Sequence, residues 1–409
     1  MNSTNNSRPE KLKGTLLKKF QQKNKILNLL YMNGPLSGTS ISKQIGVSLP
    51  TAFSLLNELQ ESKYIITNGT GKSRGGRKPT LFGLAGDSIY IIACEVERFN
   101  AKIIIYNSLN HPITPLFKFK TSIDDNKLAE KIYQSVQQLV KENNIDEDKI
   151  LGIGVTMPGL VDEKEGINHT IKDESFRNIK KRLEEKFKFL VYINNDARMQ
   201  AYGEYIFGAA KGYENAIVIT WSWGIGMGMI IDGKLYNGST GYSGEFSHIQ
   251  VAENGNLCIC GKRGCLETVA SAYVLVNGAI REINKESISQ LTQQFKGRTD
   301  DLTPEDIILA AKSGDELSIH LLEQVSLKLG KGLSIILQLL NPGIIVIGGP
   351  ISVGNQFILT PIQQSLNKFC LEQINDNTKI VISNTWEQSG LLGVTAKIFQ
   401  KLFSDIRNL

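Results

Sequence analysis

The chain has 409 residues, of which 41% are hydrophobic and 21% are charged, and its formal net charge is +6. This length predicts two or three domains, and the composition is that of an ordinary globular protein. The sequence has no run of about 18 apolar residues and no apolar signal core near its start, which excludes the membrane-spanning class and indicates a cytoplasmic protein without a membrane partner.

The positive charge is concentrated in the first part of the chain. Residues 1–86 hold 13 Lys/Arg and 3 Asp/Glu, a net charge of +10, so the rest of the chain carries −4. A basic module on a mildly acidic body predicts a head that binds a polyanion. A solubilising basic tail is the alternative, but this region is too apolar and too regularly patterned to be only a tail.

The basic module has the pattern of a helix-turn-helix. A helix is predicted over Leu16–Met32, and a short second helix, capped by Thr39 or Ser40, precedes a turn at Gly46. Ser48 caps a third helix, which is free to enter the major groove of DNA. The side chains of this helix predicted to contact DNA are Ser48, Thr51, Ser54 and Asn57.

Two predicted strands around a basic, glycine-rich tip follow, in KYIITNGTGKSRGGRKPTLFGL. This pattern is typical of a wing, whose cations reach the negative potential of a narrow minor groove. The DNA contacts predicted here are Lys72, Arg74, Arg77 and Lys78. A small helical interaction domain is the alternative, but the wing and the charge favour DNA binding.

The body repeats one theme. Residues 88–109 have the pattern of a β-hairpin, and residues 216–235 repeat a strand, a glycine-rich turn and a strand. We therefore predict a duplicated α/β fold with two lobes and a ligand cleft between them, ending in a helix opened by Ser389-Gly390. The predicted domains are 1–86, then 87–195 with 382–409, and finally 196–381, which carries the oligomerisation surface.

Residues 241–267, GYSGEFSHIQVAENGNLCICGKRGCLE, hold three of the five cysteines and one of the four histidines. Thiolate and imidazole are preferred zinc ligands, and three Cys with one His complete a tetrahedral structural site. Gly261 and Gly264 let the chain turn tightly enough for the sulfurs to converge. The alternatives are a reduced-thiol loop or a Cys258–Cys265 disulfide. The predicted zinc ligands are His248, Cys258, Cys260 and Cys265.

Polar side chains also stand near predicted strand ends. Asn195 and Asp196 follow a short apolar strand, while Glu245 and Glu267 flank the metal segment. Side chains at such positions in open α/β sheets face the ligand cleft. For Asn195 and Asp196, simple capping of the next helix is the alternative.

These motifs resemble the ROK family of repressors, open reading frames and sugar kinases, and with the N-terminal module they resemble its N-acetylglucosamine-, glucose- and xylose-repressor branch. The resemblance covers nearly the whole chain and implies a winged helix-turn-helix on an actin-like, RNase H-type duplicated fold, with structural zinc on the four ligands above. Its motifs are PGLVD at 158–162, NDA at 195–197, GEFSH at 244–248, CxCGxxGCxE at 258–267 and NPGIIVIGG at 341–349. The implied sugar-binding residues are Gly159, Asn195, Asp196, Glu245, His248 and Glu267.

The kinases of this family use the residue at Asp196 as the general base. Their two phosphate loops, however, read D-x-G-x-T and G-T-G, where this chain has Glu95-Val96-Glu97 and Ser222-Trp223-Gly224. A phosphate loop needs close approach of glycine N–H groups, so an added carboxylate and a tryptophan argue against ATP binding. Asp196 is then a vestigial base, and the chain is not an enzyme.

We therefore expect a repressor of carbohydrate-utilisation genes, whose affinity for a palindromic double-stranded operator changes when a sugar or phosphosugar binds. A homodimer or homotetramer would present paired heads to such an operator. The alternatives are an ATP-dependent kinase of hexose or N-acetylhexosamine that also binds DNA, a body that binds only a protein partner, and an activator.

Overall fold

The structure is a computed structural model, and it describes residues 14–71 and 78–404. The chain divides into two compact units, Met1–Asn194 with Val394–Leu409, and Asn195–Gly393. The domain boundaries predicted above at residues 86, 195 and 381 stay predictions. Within residues 14–71 and 78–404, no helix is both long enough and apolar enough to cross a membrane.

The first unit begins with three helices and a small antiparallel sheet in which β3 lies between β1 and β2. Ser48 caps α3, as predicted, because its hydroxyl accepts the N–H of Thr51. The predicted cap of α2 was wrong: Ser37 holds that position and accepts the N–H of Ser40. The elements are α1 (Thr15–Asn33), β1 (Leu36–Ser37), α2 (Gly38–Ile45), α3 (Leu49–Glu61), β2 (Ile65–Thr70) and β3 (Thr80–Leu84).

Helix α1 makes specific contacts with later parts of the same unit. The Tyr31 ring stacks on Phe399, with 4.0 Å between ring centroids and 13° between planes. The Tyr31 hydroxyl donates a hydrogen bond to Asn110 Oδ1 over 2.6 Å. Tyr31 is buried, so its hydroxyl needs such a partner. The head therefore has an ordered contact with the rest of its unit.

The first unit continues with a five-stranded sheet in the order β10-β7-β4-β5-β6. Strand β4 pairs antiparallel with β5 and parallel with β7, and one face of the sheet packs on α4 and α5. The elements are β4 (Tyr90–Val96), β5 (Asn100–Asn107), β6 (Phe117–Lys120), α4 (Leu128–Glu142), β7 (Ile150–Met157), β8 (Val161–Asp162), β9 (Ile167–Asn168), α5 (Ile179–Glu184) and β10 (Leu190–Asn195).

The second unit contains a sheet in the order β13-β12-β11-β14-β15. In both sheets the first strand is central, with the second and third strands on one side and the two later strands on the other, which confirms the predicted duplication. The elements are α6 (Asp196–Phe207), β11 (Ala216–Trp221), β12 (Ile225–Ile231), β13 (Lys234–Leu235), α7 (Glu267–Ala270), α8 (Ala272–Asn284), α9 (Gln290–Phe295), α10 (Pro304–Lys312), α11 (Glu316–Leu340), β14 (Ile344–Gly348), α12 (Gln356–Phe369), α13 (Glu372–Asn375), β15 (Lys379–Ile382) and α14 (Trp386–Ser404).

Helix α14 begins at Trp386, three residues before the predicted start at Ser389. Its first turns pack on α6 at the distance that only glycine permits. A Cβ on Gly203 would lie 1.9 Å from the Ser389 carbonyl oxygen, and one on Gly393 would lie 1.9 Å from the Met199 carbonyl oxygen. These glycines therefore fix the position of α6, whose first residue is Asp196.

Gly393→Ala is expected to destabilise the second unit. Overpacking costs about 1–3 kcal/mol, and here the new methyl group meets a backbone oxygen that no side-chain rotation can move. The helix propensity of alanine offsets about 1 kcal/mol of that cost, so we expect a lower melting temperature. Gly278→Ala on α8 is the control, because its Cβ meets only the end of the Leu321 side chain, at 3.1 Å. An unchanged melting temperature for Gly393→Ala would contradict this packing.

Candidate functional site

The structure brings the four predicted metal ligands together in the second unit. One ligand atom from each residue lies within 4.8 Å of the others. The His248 Nδ1 lies 3.6 Å from the Cys258 sulfur, and the Cys260 and Cys265 sulfurs are also 3.6 Å apart. The alternative of a Cys258–Cys265 disulfide does not hold, because both cysteines are free. The arrangement is a possible metal-binding cluster.

Local turns explain how residues so close in sequence converge. The Cys258 N–H donates to the Lys262 carbonyl over 2.7 Å, which closes a tight loop around Cys260. Gly264 has a φ of +78°, and a Cβ there would lie 1.9 Å from the Ala252 carbonyl oxygen. Only glycine satisfies both conditions, so this residue returns the chain to place Cys265 beside the other ligands.

The donor set fits a structural zinc site. Three thiolates and one imidazole are the ligands of closed tetrahedral zinc sites. Burial raises the pKa of the Cys258 thiol, and it raises the pKa of the Cys265 thiol to about 12. The Lys262 N–H instead lowers the pKa of the exposed Cys260 thiol. A bound cation would stabilise all three thiolates.

The His248 ring connects the cysteine cluster to a carboxylate. While Nδ1 faces Cys258, Nε2 lies 3.9 Å from the Glu245 Oε2. Glu245 stands immediately before the short 3-10 helix Phe246–His248, and that helix sets the spacing between the two side chains. Glu245 therefore lies beside His248, which is itself one of the clustered residues.

Asp196 and Glu267 belong to the same group of acids. Burial raises the pKa of Asp196, and the charge of Glu245 raises it further. Burial also raises the pKa of Glu245, with a contribution from Glu267. Glu267, the first residue of α7, has a carboxylate oxygen 3.0 Å from the position of a Cβ on Gly224. Glu245 therefore lies near enough to Asp196 and to Glu267 for their charges to interact.

Asn195 is the N-cap of α6, and its side-chain oxygen accepts the N–H of Arg198 over 3.1 Å. Asn195 therefore does cap α6, as the alternative interpretation of this residue expected. The cap uses the oxygen of the amide, and the amide's two N–H donors take no part in that contact. Capping and ligand binding by Asn195 are compatible.

Gly159 lies in the first unit and has a φ of +106°. A Cβ there would lie 2.6 Å from the Thr170 Oγ1, which also accepts the Leu160 N–H over 2.9 Å. The side chain of buried Asn168 donates to the Pro158 carbonyl over 3.0 Å. Two side chains that no sequence motif singled out, those of Asn168 and Thr170, stabilise this turn. Each is hydrogen-bonded to a backbone group ten residues earlier in the chain.

Arg198 is a further residue near the acids that no sequence motif singled out. This residue is only 3% exposed, and its guanidinium donates a hydrogen bond to the Gly241 carbonyl. Its charge lowers the pKa of Asp196 and of Glu245, against the larger effect of burial. The one available signal was an arginine directly after the NDA motif, and sequence alone does not show that such a side chain is buried.

The positions that match the kinase phosphate loops have other contacts here. Lys102 lies 3.1 Å from both Glu95 and Glu97, and the two carboxylates raise its pKa against the lowering effect of burial. In the second unit, the N–H groups of Ala272 and Tyr273, at the start of α8, donate to the carbonyls of the Ser222–Gly224 loop. Helix N-terminal N–H groups that bind phosphates in other proteins are therefore used internally.

The Trp223 ring packs edge-on against Tyr273, with 5.6 Å between ring centroids. This side chain belongs to the residue that replaces the small threonine of the kinase pattern.

The predicted DNA-contacting residues of α3 all lie on its exposed face, opposite buried Ala52, Leu55, Leu56 and Leu59. The Ser48 and Thr51 hydroxyls are hydrogen-bonded to each other over 2.7 Å, while Ser54 and Asn57 lie further along the face. Lys78 is exposed and lies two residues before β3 begins at Thr80. Lys72, Arg74 and Arg77 fall outside the described residues.

Known proteins have sequences that align with this chain over most of its length. The chain is 29% identical over 393 residues to the xylose repressor of Caldicellulosiruptor bescii, covering 95% of this chain and 98% of the relative. It is 28% identical over 370 residues to the DNA-binding transcriptional dual regulator NagC of Escherichia coli K12, covering 90% of this chain and 89% of the relative.

Solved structures share the fold. A ROK family transcriptional regulator, a homolog of the E. coli MLC protein, has a TM-score of 0.78 and 24% identity, covering 95% of this chain and 98% of its own. A ROK family glucokinase from Streptomyces griseus, solved with glucose and AMPPNP, has a TM-score of 0.67 and 26% identity, covering 75% and 97%. The predicted fold class is confirmed.

The ROK family profile matches residues 117–401, well over half of the chain. This range includes the metal cluster and the group of carboxylates described above. The chain belongs to the ROK family.

Proposed function

We propose that this chain is a sugar-responsive transcriptional repressor. The observation that carries the proposal is that one chain joins a helix-turn-helix with an exposed polar face on α3 to the carboxylates Asp196 and Glu245 beside a His/Cys cluster. Relatives that align with 90–95% of the chain are named xylose repressor or N-acetylglucosamine repressor, which supports the proposal.

The sugar-reading side chains in the second unit are proposed to be Asn195, Asp196, Glu245, His248 and Glu267. Sugar hydroxyls are paired donors and acceptors, so carboxylates and amides that bridge neighbouring hydroxyls recognise them. Hydrogen bonds to an ionised carboxylate are shorter and stronger than those between neutral groups. The part taken by Gly159 stays a prediction, as do the palindromic operator and the homodimer or homotetramer.

Zinc is the metal proposed for the cluster, held by His248, Cys258, Cys260 and Cys265. When bound, it supplies a structural cross-link through the segment between Glu245 and Glu267. The His248 Nε2, on the side of Glu245, then keeps its own hydrogen-bonding capacity. The proposed role of the metal is to fix the side chains that read the sugar.

We further propose that the chain does not transfer phosphate. In the first unit, Glu95 and Glu97 hold Lys102 at the position of the first phosphate loop, which leaves carboxylates where phosphates need N–H donors. The competing function is a sugar kinase, which the similarity to the glucokinase structure favours. It requires Asp196 to act as a general base.

Two measurements separate these functions. Thermal-shift titration with D-xylose, D-glucose and N-acetyl-D-glucosamine is expected to reveal a stabilising sugar, since a ligand that binds the native state raises the melting temperature. Incubation of that sugar with ATP and Mg²⁺ is expected to yield no phosphosugar. Phosphosugar formation that is lost in Asp196→Asn would establish the kinase instead.

Ser54→Glu is expected to weaken binding to operator DNA at least about tenfold, which is about 1.4 kcal/mol. Ser54 is exposed on α3, so a carboxylate there would face the DNA phosphates and repel them. Thr360→Glu on α12 is the control, since it makes the same charge change on an exposed helix outside the head. The measurement is fluorescence anisotropy with a duplex that the protein selects from a random library. Equal affinities of Ser54→Glu and the wild type would remove α3 from the interface.

A further inference from the structure

We propose that Arg198 is a positioning residue of the sugar site, a role that rests on the function proposed above. Its guanidinium holds the loop Gly241–Glu245 to the first turn of α6. Because Asp196 lies in that turn and Glu245 ends that loop, Arg198 fixes the spacing between the two halves of the carboxylate set.

The first support is the contact itself. Arg198 is 3% exposed, and a guanidinium removed from water must be hydrogen-bonded to avoid a large cost in free energy. Its Nη1 donates to the backbone carbonyl of Gly241, 43 residues later in the chain. Because the acceptor is a backbone carbonyl, the hydrogen bond constrains the loop backbone and not a rotatable side chain.

The second support is that the backbone of Arg198 is fixed. Its N–H is accepted by the Asn195 cap. A Cβ on Gly228 of β12 would lie 3.2 Å from the Arg198 Cα and 2.8 Å from the Ala197 carbonyl oxygen. The glycine-rich hairpin therefore lets α6 lie directly on the sheet, and the arginine projects from a rigid base.

The third support is that the rest of the loop Gly241–Glu245 contacts the hairpin of β12 and β13. A Cβ on Gly244 would lie 2.4 Å from the Met227 carbonyl oxygen, so the loop's end rests on β12. The Ser243 hydroxyl donates to the Tyr236 carbonyl over 2.7 Å. These contacts tie the loop to the hairpin, while the Arg198 contact ties it to α6. Without the guanidinium, the start of the loop at Gly241 loses its hydrogen bond to the helix that carries Asp196.

Electrostatics favours the same arrangement. Burial raises the pKa of Asp196, the charge of Glu245 raises it further, and the charge of Arg198 acts in the opposite direction. The guanidinium therefore also reduces the repulsion between two carboxylates that must lie close together to read one sugar.

The test compares Arg198→Met, which keeps the apolar stem but removes donor and charge, with Arg198→Lys, which keeps both. Arg281→Met on the exposed face of α8 is the matched control. The first readout is amide hydrogen exchange of residues 242–246 in the sugar-free protein. The second is calorimetric affinity for whichever of D-xylose, D-glucose and N-acetyl-D-glucosamine the wild type binds. Zinc content is measured for every variant.

Arg198→Met is expected to speed exchange in residues 242–246 and to weaken sugar binding at least about tenfold, the loss typical of a hydrogen bond to a charged group. Zinc content is expected to stay at the wild-type level. Arg198→Lys is expected to recover most of both losses, which filling of space alone would not achieve.

Two results would overturn the proposal. One is unchanged exchange in Arg198→Met; the other is an Arg198→Lys variant that folds but exchanges as fast as Arg198→Met. If Arg198→Met does not fold, slow exchange in Arg198→Lys supports the role and fast exchange refutes it. A wild type that binds none of the three sugars counts against the proposed effector, while the exchange data still decide the role of Arg198.

Discussion

Cys258→Ser is expected to lower zinc affinity more than about 100-fold and to abolish the response to sugar. Even groups that only support a metal ligand contribute 10- to 100-fold to affinity, so losing a ligand costs more. Cys258 faces the His248 Nδ1 at 3.6 Å, and His248 faces Glu245 on its other side. Loss of the metal therefore releases a sugar-reading side chain as well as the loop.

The measurement is zinc content by mass spectrometry, followed by operator binding with and without sugar. Cys370→Ser is the matched control, because Cys370 is a free, half-buried thiol outside the cluster. Since metal binding and folding of such a loop are coupled, the Cys258 variant should also lose local protection from proteolysis. A full equivalent of tightly held zinc in Cys258→Ser would refute the ligand assignment.

Glu245→Gln is expected to weaken sugar binding about 10- to 100-fold, because a hydrogen bond to a charged group contributes about 1.5–3 kcal/mol. The glutamine has nearly the same shape, so the 3-10 helix Phe246–His248 should keep its place. Zinc content should be unchanged, since Glu245 is not one of the four clustered ligands. This variant thus separates reading of the sugar from binding of the metal.

Glu253→Gln makes the same chemical change at an exposed position of the same segment and should bind sugar like the wild type. Calorimetry at fixed pH compares the two variants. The proposed role of Glu245 would be wrong if both variants bound the sugar with wild-type affinity. Loss of zinc from Glu245→Gln would instead mean that the carboxylate belongs to the metal site.

Much of the site was predictable because its residues are neighbours in sequence. His248, Cys258, Cys260 and Cys265 fall within 18 residues, and ligand chemistry alone groups them. The duplicated sheets were also predictable, because each begins with an alternating apolar hairpin. The start of α3 was predictable because Ser48 is a residue type that caps helices, and it is the N-cap of this helix.

Long-range contacts escaped prediction for a physical reason. Arg198 reaches Gly241, 43 residues later in the chain, only because the folded backbone brings these groups together. Sequence patterns report burial by periodicity, and a buried arginine breaks that pattern.

The sequence also does not decide which of several neighbouring polar residues caps a helix. Ser37, Thr39 and Ser40 all have hydroxyls suited to capping α2, and tertiary structure selected Ser37. The start of α14 shows the same limit: Thr385, directly before Trp386, and Ser389 are both residue types suited to capping, and the helix begins at Trp386 with Ser389-Gly390 inside its first turns.

The central claim is that one chain couples sugar binding to DNA binding. The most direct test measures the affinity of the zinc-loaded protein for its selected duplex, with and without a saturating concentration of the sugar that stabilises it. We predict that the sugar lowers the affinity for DNA several-fold to about 100-fold, which corresponds to about 1–3 kcal/mol of coupling. Identical DNA affinities with and without bound sugar would contradict the proposed function.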